Sequence, residues 1–160
     1  MAQLTAFRPT DSDGRVPGVN IFPQTVYLPM AASTTIYAGS LVLVNSSGYA
    51  VPAGQGVAGC VVGRCGVGDG TGNTNVGQTS FTSVAAASIY ITVENGTFLW
   101  NNPDPLTFAN FGAKVYAASD NSVSETANSN GAAGYFIGVD TATGTQAMVV
   151  TFLGAFGTQS

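Results

Sequence analysis

The chain has 160 residues, a net charge of −4 and no histidine, and only 8% of its residues are charged, against about a quarter in ordinary soluble domains. The missing histidine excludes a Ser-His-Asp or Cys-His nucleophile. The few scattered basic residues cannot neutralise phosphates, and an acidic surface does not attract anionic lipid. We therefore expect no enzymatic activity, no cofactor, and no nucleic-acid or membrane partner.

The hydrophobic content of 45%, with 21 glycines and 7 prolines, is typical of a folded domain built from short strands and frequent turns. We predict an all-β fold, a small β-sandwich or β-barrel of short antiparallel strands with an extended N-terminal arm. The predicted arm covers 1–35, the β-domain 36–154 and a C-terminal tail 155–160.

Residues 1–35 differ from the rest because Pro9, Pro17, Pro23 and Pro29 recur every six to eight positions. Prolines at this spacing suppress helix and central-strand pairing and favour extended chain. Three interpretations stay open: an edge segment that wraps its own domain, an arm that packs on a neighbouring subunit, or a disordered tail. No basic region followed by an apolar stretch opens the chain, so we expect no secretory signal.

From Ile36 the pattern changes to strands and tight turns. The sequence predicts a strand at 41–44, a turn at 45–48, a strand at 49–51 and a buried strand at 57–65. The glycine-rich stretch 66–72 resembles a phosphate loop only superficially, because it lacks the Gly-Lys-Ser/Thr ending and a following helix. We predict a mobile surface loop there.

Asn95-Gly96 predicts a type I′ hairpin between strands 88–94 and 97–100, because both central residues of that turn need positive φ. A two-residue loop would pair Glu94 with Thr97 and Ile91 with Trp100. One face of this hairpin should then be core, made of Ile91, Val93, Phe98 and Trp100.

Beyond the hairpin, Asp104 to Gly112 predicts either one or two helical turns, with Asp104 as N-cap and Gly112 as stop, or a loop. Further strands are predicted at 114–117, 122–125, 134–139 and 146–153. The aspartates of this region stand in turn-like contexts where they bond the backbone. We therefore expect neither a catalytic carboxylate pair nor a metal site.

Cys60 and Cys65 are five residues apart, which on a straight strand places them on opposite faces, roughly 16 Å apart. A disulfide needs Cα atoms within about 7 Å, so a bridge would require a sharp bend at Gly63. We favour buried thiols over a bridge or a redox or metal role.

The order of several short motifs resembles that of the capsid decoration (cement) proteins of tailed bacteriophages. The motifs are Ala38-Gly39-Ser40-Leu41-Val42, Gly48-Tyr49-Ala50, Gly56-Val57-Ala58, Val62-Gly63, Ile91-Thr92-Val93-Glu94-Asn95-Gly96-Thr97-Phe98, Phe111-Gly112-Ala113-Lys114-Val115-Tyr116 and Phe136-Ile137-Gly138-Val139. The resemblance spans about 36–153. The long N-terminal segment and the 66–80 insert depart from the family's pattern, so contact positions are not carried over there.

The resemblance implies a non-enzymatic virion protein that is made in the host cytoplasm and binds the outer surface of the expanded head. There it would act as a homotrimer and stabilise contacts between major capsid protein subunits. We expect the arm to supply apolar anchors to this partner, namely Phe7, Ile21, Phe22, Val26, Tyr27 and Leu28. The alternative is a head-fibre or adhesin-type module that recognises host-surface glycan through Trp100 or the tyrosines.

Overall fold

The computed structural model describes residues 25–54, 58–127, 131–140 and 144–151. Over these ranges the chain forms strands, one 3-10 turn and no α-helix, and none of its helical segments could cross a membrane. The all-β prediction is confirmed. In chain order the elements are β1 Thr25–Pro29, β2 Thr34–Tyr37, β3 Leu41–Asn45, β4 Ala50–Pro52, β5 Gly59–Cys65, β6 Ser80–Ser83, β7 Tyr90–Glu94, β8 Gly96–Asn101, the 3-10 turn Phe108–Asn110, β9 Lys114–Ala117, β10 Val123–Ser124, β11 Ala132–Val139 and β12 Gln146–Thr151.

The strands form three antiparallel layers. The first sheet has the order β1-β7-β5-β3-β4, the second sheet has the order β10-β9-β11-β12-β8, and β2 pairs with β6 in a two-stranded ribbon. β3 shows how they stack: Leu41 and Leu43 belong to one buried cluster and Val42 to the other. Since side chains alternate along a strand, the first sheet lies between the second sheet and the ribbon.

Two hydrophobic cores result from this stacking. Between the two sheets, Leu43 and Val61 pack with Phe136 and Val149. Between the first sheet and the ribbon, the core members include Val42, Ile91, Val93, Ile36 and Phe81. The continuous apolar run 41–44 is thus explained, because a strand covered on both faces has no solvated side.

Each sheet also curls until its outermost strands meet at one end. Met30, directly after β1, forms an isolated bridge with Ala50 of β4, and Asn101 of β8 forms one with Ser122 beside β10. Unpaired strand edges invite association with other chains. Each bridge therefore covers part of the open edges of its own sheet.

The predicted Asn95-Gly96 hairpin is wrong. β7 pairs with β1 and β5 in the first sheet, whereas β8 pairs with β12 in the second. Glu94 lies opposite Arg64 and Trp100 opposite Ala147. Because a strand has two edges and both edges of β7 are occupied, β8 has no place beside it and the chain crosses to the other sheet.

The predicted core residues of that hairpin are nevertheless inside. Ile91, Val93 and Trp100 are buried, and Phe98 is half-buried against the core between the sheets. They belong to two different cores, however: Ile91 and Val93 face the ribbon side, and Phe98 and Trp100 face the space between the sheets. The predicted inward-facing positions are therefore correct within each strand, but the prediction that the four residues share one face is wrong.

Candidate protein interface

The predicted apolar anchors of the N-terminal arm do not form one exposed patch. Phe7, Ile21 and Phe22 lie outside the described residues. Val26 and Leu28 of β1 are partly buried against the core beneath the ribbon. The side chain of Tyr27, on the other face of β1, is 50% exposed. The structure therefore places Val26 and Leu28 in an edge strand of their own domain, and their role as partner contacts stays a prediction.

The glycine-rich stretch after β5 is held against β7 by hydrogen bonds. Gly66 donates its backbone N–H to the Thr92 carbonyl at 2.9 Å, and Tyr90 donates to the Gly72 carbonyl at 2.9 Å. Asp69 accepts a hydrogen bond from the Tyr27 hydroxyl at 2.9 Å. The stretch is thus tied to both β1 and β7, and its mobility stays a prediction.

The Asp69 carboxylate is the centre of this attachment. Hydrogen bonds from the Thr71 side chain and backbone, and then from Tyr27, lower its pKa to about 2. Hydrogen bonds to a carboxylate favour its charged form. Asp69 is therefore an acceptor that fastens the loop to the first sheet.

A half-exposed ion pair marks the place where the chain crosses between sheets. An Nη atom of Arg64 lies 2.7 Å from Oε2 of Glu94, and the guanidinium stacks 4.3 Å from the Phe98 ring centroid. The Phe98 ring meets Trp100 edge to face, with centroids 6.1 Å apart. Exposed ion pairs contribute little stability, and what the cluster adds is a contact between β5 of the first sheet and β8 of the second.

Cys60 and Cys65 are both free thiols; Cys65 is buried as predicted, whereas Cys60 is only half-buried. Burial, and to a smaller extent the Glu94 carboxylate, raise the pKa of Cys65 from 9.0 to about 12, against an opposing effect of Arg64. Burial also raises the pKa of Cys60. A thiol is reactive as its thiolate, so both side chains are poor nucleophiles.

These shifts predict a pH-dependent stability. Because the pKa of Cys65 is higher in the folded chain, the protonated thiol favours folding, fully below pH 9.0 and progressively less between 9.0 and about 12. We expect the difference in unfolding free energy between wild type and Cys65→Ala to shrink over this interval in urea titrations. A difference that stays constant from pH 8 to pH 11 would contradict the shift.

The two outer surfaces of the sandwich differ in the side chains that they present. The ribbon turns Thr35, Tyr37, Ser80 and Thr82 outward, and the Thr35 and Thr82 hydroxyls are hydrogen-bonded at 3.0 Å. This is the polar face expected of a solvated antiparallel sheet. The outer face of the second sheet can therefore be compared with this polar face.

The outer face of the second sheet carries exposed polar residues such as Thr97 and Asn101 but presents more aliphatic side chains than the ribbon does. Leu99 and Tyr135 are 45% and 40% exposed, and Met148 and Val150 between them are half-buried. Cross-strand pairing joins Met148 to Leu99 and Tyr135 to Val150. We call this set, Leu99, Tyr135, Met148 and Val150, the apolar face.

A short turn adds two exposed aromatic side chains near this face. The predicted helical segment 104–112 is reduced to the 3-10 turn Phe108–Asn110, with Thr107 rather than Asp104 as N-cap. Asp104 instead accepts a hydrogen bond from the Ser124 hydroxyl. Gly112 ends the turn as predicted, at a φ of +81°.

Phe108 and Phe111 of this turn are 61% and 66% exposed, the highest values of any aromatic side chain among the described residues. The Phe108 ring lies over Gly138 of β11, where an added Cβ would be 3.5 Å from the ring. Large apolar side chains gathered on a surface mark interaction sites. The turn and the apolar face therefore form the candidate protein interface.

The charges near this interface are few. Lys114 lies 5.6 Å from the centroid of the Tyr116 ring, and β9 places it opposite Tyr135. Within the described part of the chain, no three His, Cys, Asp or Glu side chains are grouped so that they could hold a metal ion. What the surface offers is aromatic and aliphatic contact area.

Sequence reasoning missed these interface residues although β12 carried a signal. After Gln146, the run Ala147-Met148-Val149-Val150 is apolar at odd and even positions alike, so both faces of the strand are apolar there. Ala147 and Val149 fill the core, so Met148 and Val150 must face outward. A strand with one solvated side would be polar at those positions, so this departure from alternation is the signal that marks the apolar face.

Comparisons with known proteins return no match to a protein family, to a curated protein or to a solved structure.

Proposed function

We propose that this chain is a non-enzymatic virion structural protein that binds the outer surface of the expanded head of a tailed phage. In this proposal it stabilises contacts between major capsid protein subunits, acts as a homotrimer, and is made in the host cytoplasm. The motif order described above supports the family, and the candidate interface supports a protein partner.

The observation that carries the proposal is the contrast between the two outer surfaces. A sheet face with Leu99, Met148 and Tyr135 in neighbouring positions gains free energy when a partner removes it from water. A trimer would present three such faces, so that weak single contacts combine into firm attachment. This arrangement suits a protein that grips several shell subunits at once.

Co-sedimentation with expanded and unexpanded empty shells of the source virus tests the proposal. We expect saturable binding to expanded shells only, together with a higher melting temperature of the shell. Absence of binding to both forms would overturn the proposal and favour the glycan-binding alternative. That alternative would have to use exposed tyrosines such as Tyr37 or Tyr135, because Trp100 is 3% exposed and offers no ring to a sugar.

A further inference from the structure

Phe108 and Phe111, the phenylalanine knob, are more exposed than any other aromatic side chains of the described residues. We propose that the phenylalanine knob is the anchor of the interface and inserts into an apolar pocket of the partner protein that is bordered by lysine or arginine side chains. The inference rests on the proposed function, in which that partner is the shell protein. Buried aromatic anchors dominate the binding energy of most interfaces.

The backbone beneath the knob is fixed. The Thr107 hydroxyl accepts a hydrogen bond from the Ala109 N–H at 3.3 Å, and the Asn110 side chain accepts one from the Thr107 N–H at 2.9 Å. Such reciprocal capping satisfies the donors at the start of the turn. The two rings are therefore presented by a defined conformation.

Both ends of the turn are also anchored to the domain. Before it, Leu106 is buried between the sheets and exchanges hydrogen bonds with the Asn102 side chain, each 3.2 Å long. After it, Gly112 donates to the Phe136 carbonyl at 2.8 Å and Phe136 donates back to Ala113 at 2.9 Å. Because the backbone on both sides of the turn is already held, binding would cost little backbone conformational entropy. Preorganisation of this kind raises affinity.

Three acidic residues lie near the knob, against one basic residue, Lys114, and this excess indicates the chemistry of its partner. Asp104 precedes the turn, Glu125 accepts a 2.7 Å hydrogen bond from the Asn110 amide, and Asp140 is two residues beyond Gly138, the residue beneath Phe108. Charged rims steer association toward surfaces of opposite sign. The pocket that receives the phenylalanines therefore has a basic border.

The same charges argue against a second copy of this chain as occupant of the knob. The whole chain carries eight acidic and four basic residues, so two copies that met at this rim would bring carboxylates together. Like charges facing each other across an interface oppose association. A homotrimer would have to form through another surface.

The test compares the double variant Phe108→Ala, Phe111→Ala with the control Tyr37→Ala, Val84→Ala. The control removes two side chains that are 58% and 81% exposed, and Tyr37 lies on the ribbon, on the other side of the first sheet. We expect the knob variant to raise the dissociation constant for expanded shells at least about 30-fold, as hot-spot residues do. The control should bind as wild type does, and urea titrations should show both variants folded.

A second variant tests the basic border. Asp104→Asn, Glu125→Gln and Asp140→Asn together keep side-chain oxygens that can accept hydrogen bonds and remove three charges. We expect slower association with expanded shells at low salt and a weaker dependence of that rate on salt, because long-range steering is lost. An unchanged salt dependence would overturn the basic border.

The outcomes separate the two proposals. If wild-type protein binds no shells, the proposed function fails whatever the variants do. If wild type and the knob variant bind expanded shells equally, the function stands and the anchor is overturned. If the knob variant loses self-association in sedimentation velocity instead, the occupant is a second copy and the inference is again overturned.

Discussion

Deleting residues 1–28 is expected to destabilise the domain by about 3 kcal/mol relative to deleting residues 1–24. The two truncations differ by Thr25 to Leu28, most of β1, which pairs with β7 from Thr25–Glu94 to Pro29–Tyr90. The longer deletion removes the Val26 and Leu28 side chains from the core beneath the ribbon. It also opens one edge of β7.

Urea unfolding of both truncations measures the difference directly, and shell binding of the shorter deletion separates fold from function. Residues 1–24 contain Phe7, Ile21 and Phe22 of the predicted arm, so we expect their deletion to abolish shell binding and to leave the domain folded. Equal unfolding midpoints for the two truncations would show that β1 adds no stability. Undiminished shell binding would show that the arm supplies no anchors.

The sequence predicts most strands because each depends on local composition. The runs at 41–44 and 114–117 become β3 and β9 with nearly the predicted bounds, since β-branched and aromatic residues suit a pleated surface. Which strand pairs with which, in contrast, is not decided by neighbouring residues alone. Asn95-Gly96 predicts a hairpin from two residues, but β1 and β5 occupy both edges of β7 and decide where β8 goes.

The candidate interface was harder to predict for a related reason. An apolar position indicates burial without saying whether the covering partner is the same chain or another one. Val26 and Leu28 stand in a proline-rich segment and suggest an arm, yet they line an internal core. Met148 stands in an ordinary core strand, yet it lies on the apolar face beside Leu99. The face of each strand depends on which layers stack against it.

Trp100 and Leu99 are neighbours in β8 that point to opposite faces. Trp100→Ala should therefore mainly lower stability, and Leu99→Ala should mainly lower shell binding. Trp100 is 3% exposed in the core between the sheets, and Trp100→Ala is expected to cost about 3–5 kcal/mol of unfolding free energy. Leu99 is 45% exposed, and Leu99→Ala should cost about 1 kcal/mol or less. Urea titrations of the two variants measure both values.

Per folded molecule, the Leu99→Ala variant should lose more shell binding than the Trp100→Ala variant. Leu99→Ala removes part of the apolar face and should weaken attachment to expanded shells, whereas the folded fraction of Trp100→Ala keeps that face intact. A glycan-binding role for Trp100 predicts the opposite, because its removal would abolish sugar binding without unfolding the domain. Since one strand holds both residues, the pair distinguishes a side chain that supports the fold from one that meets a partner.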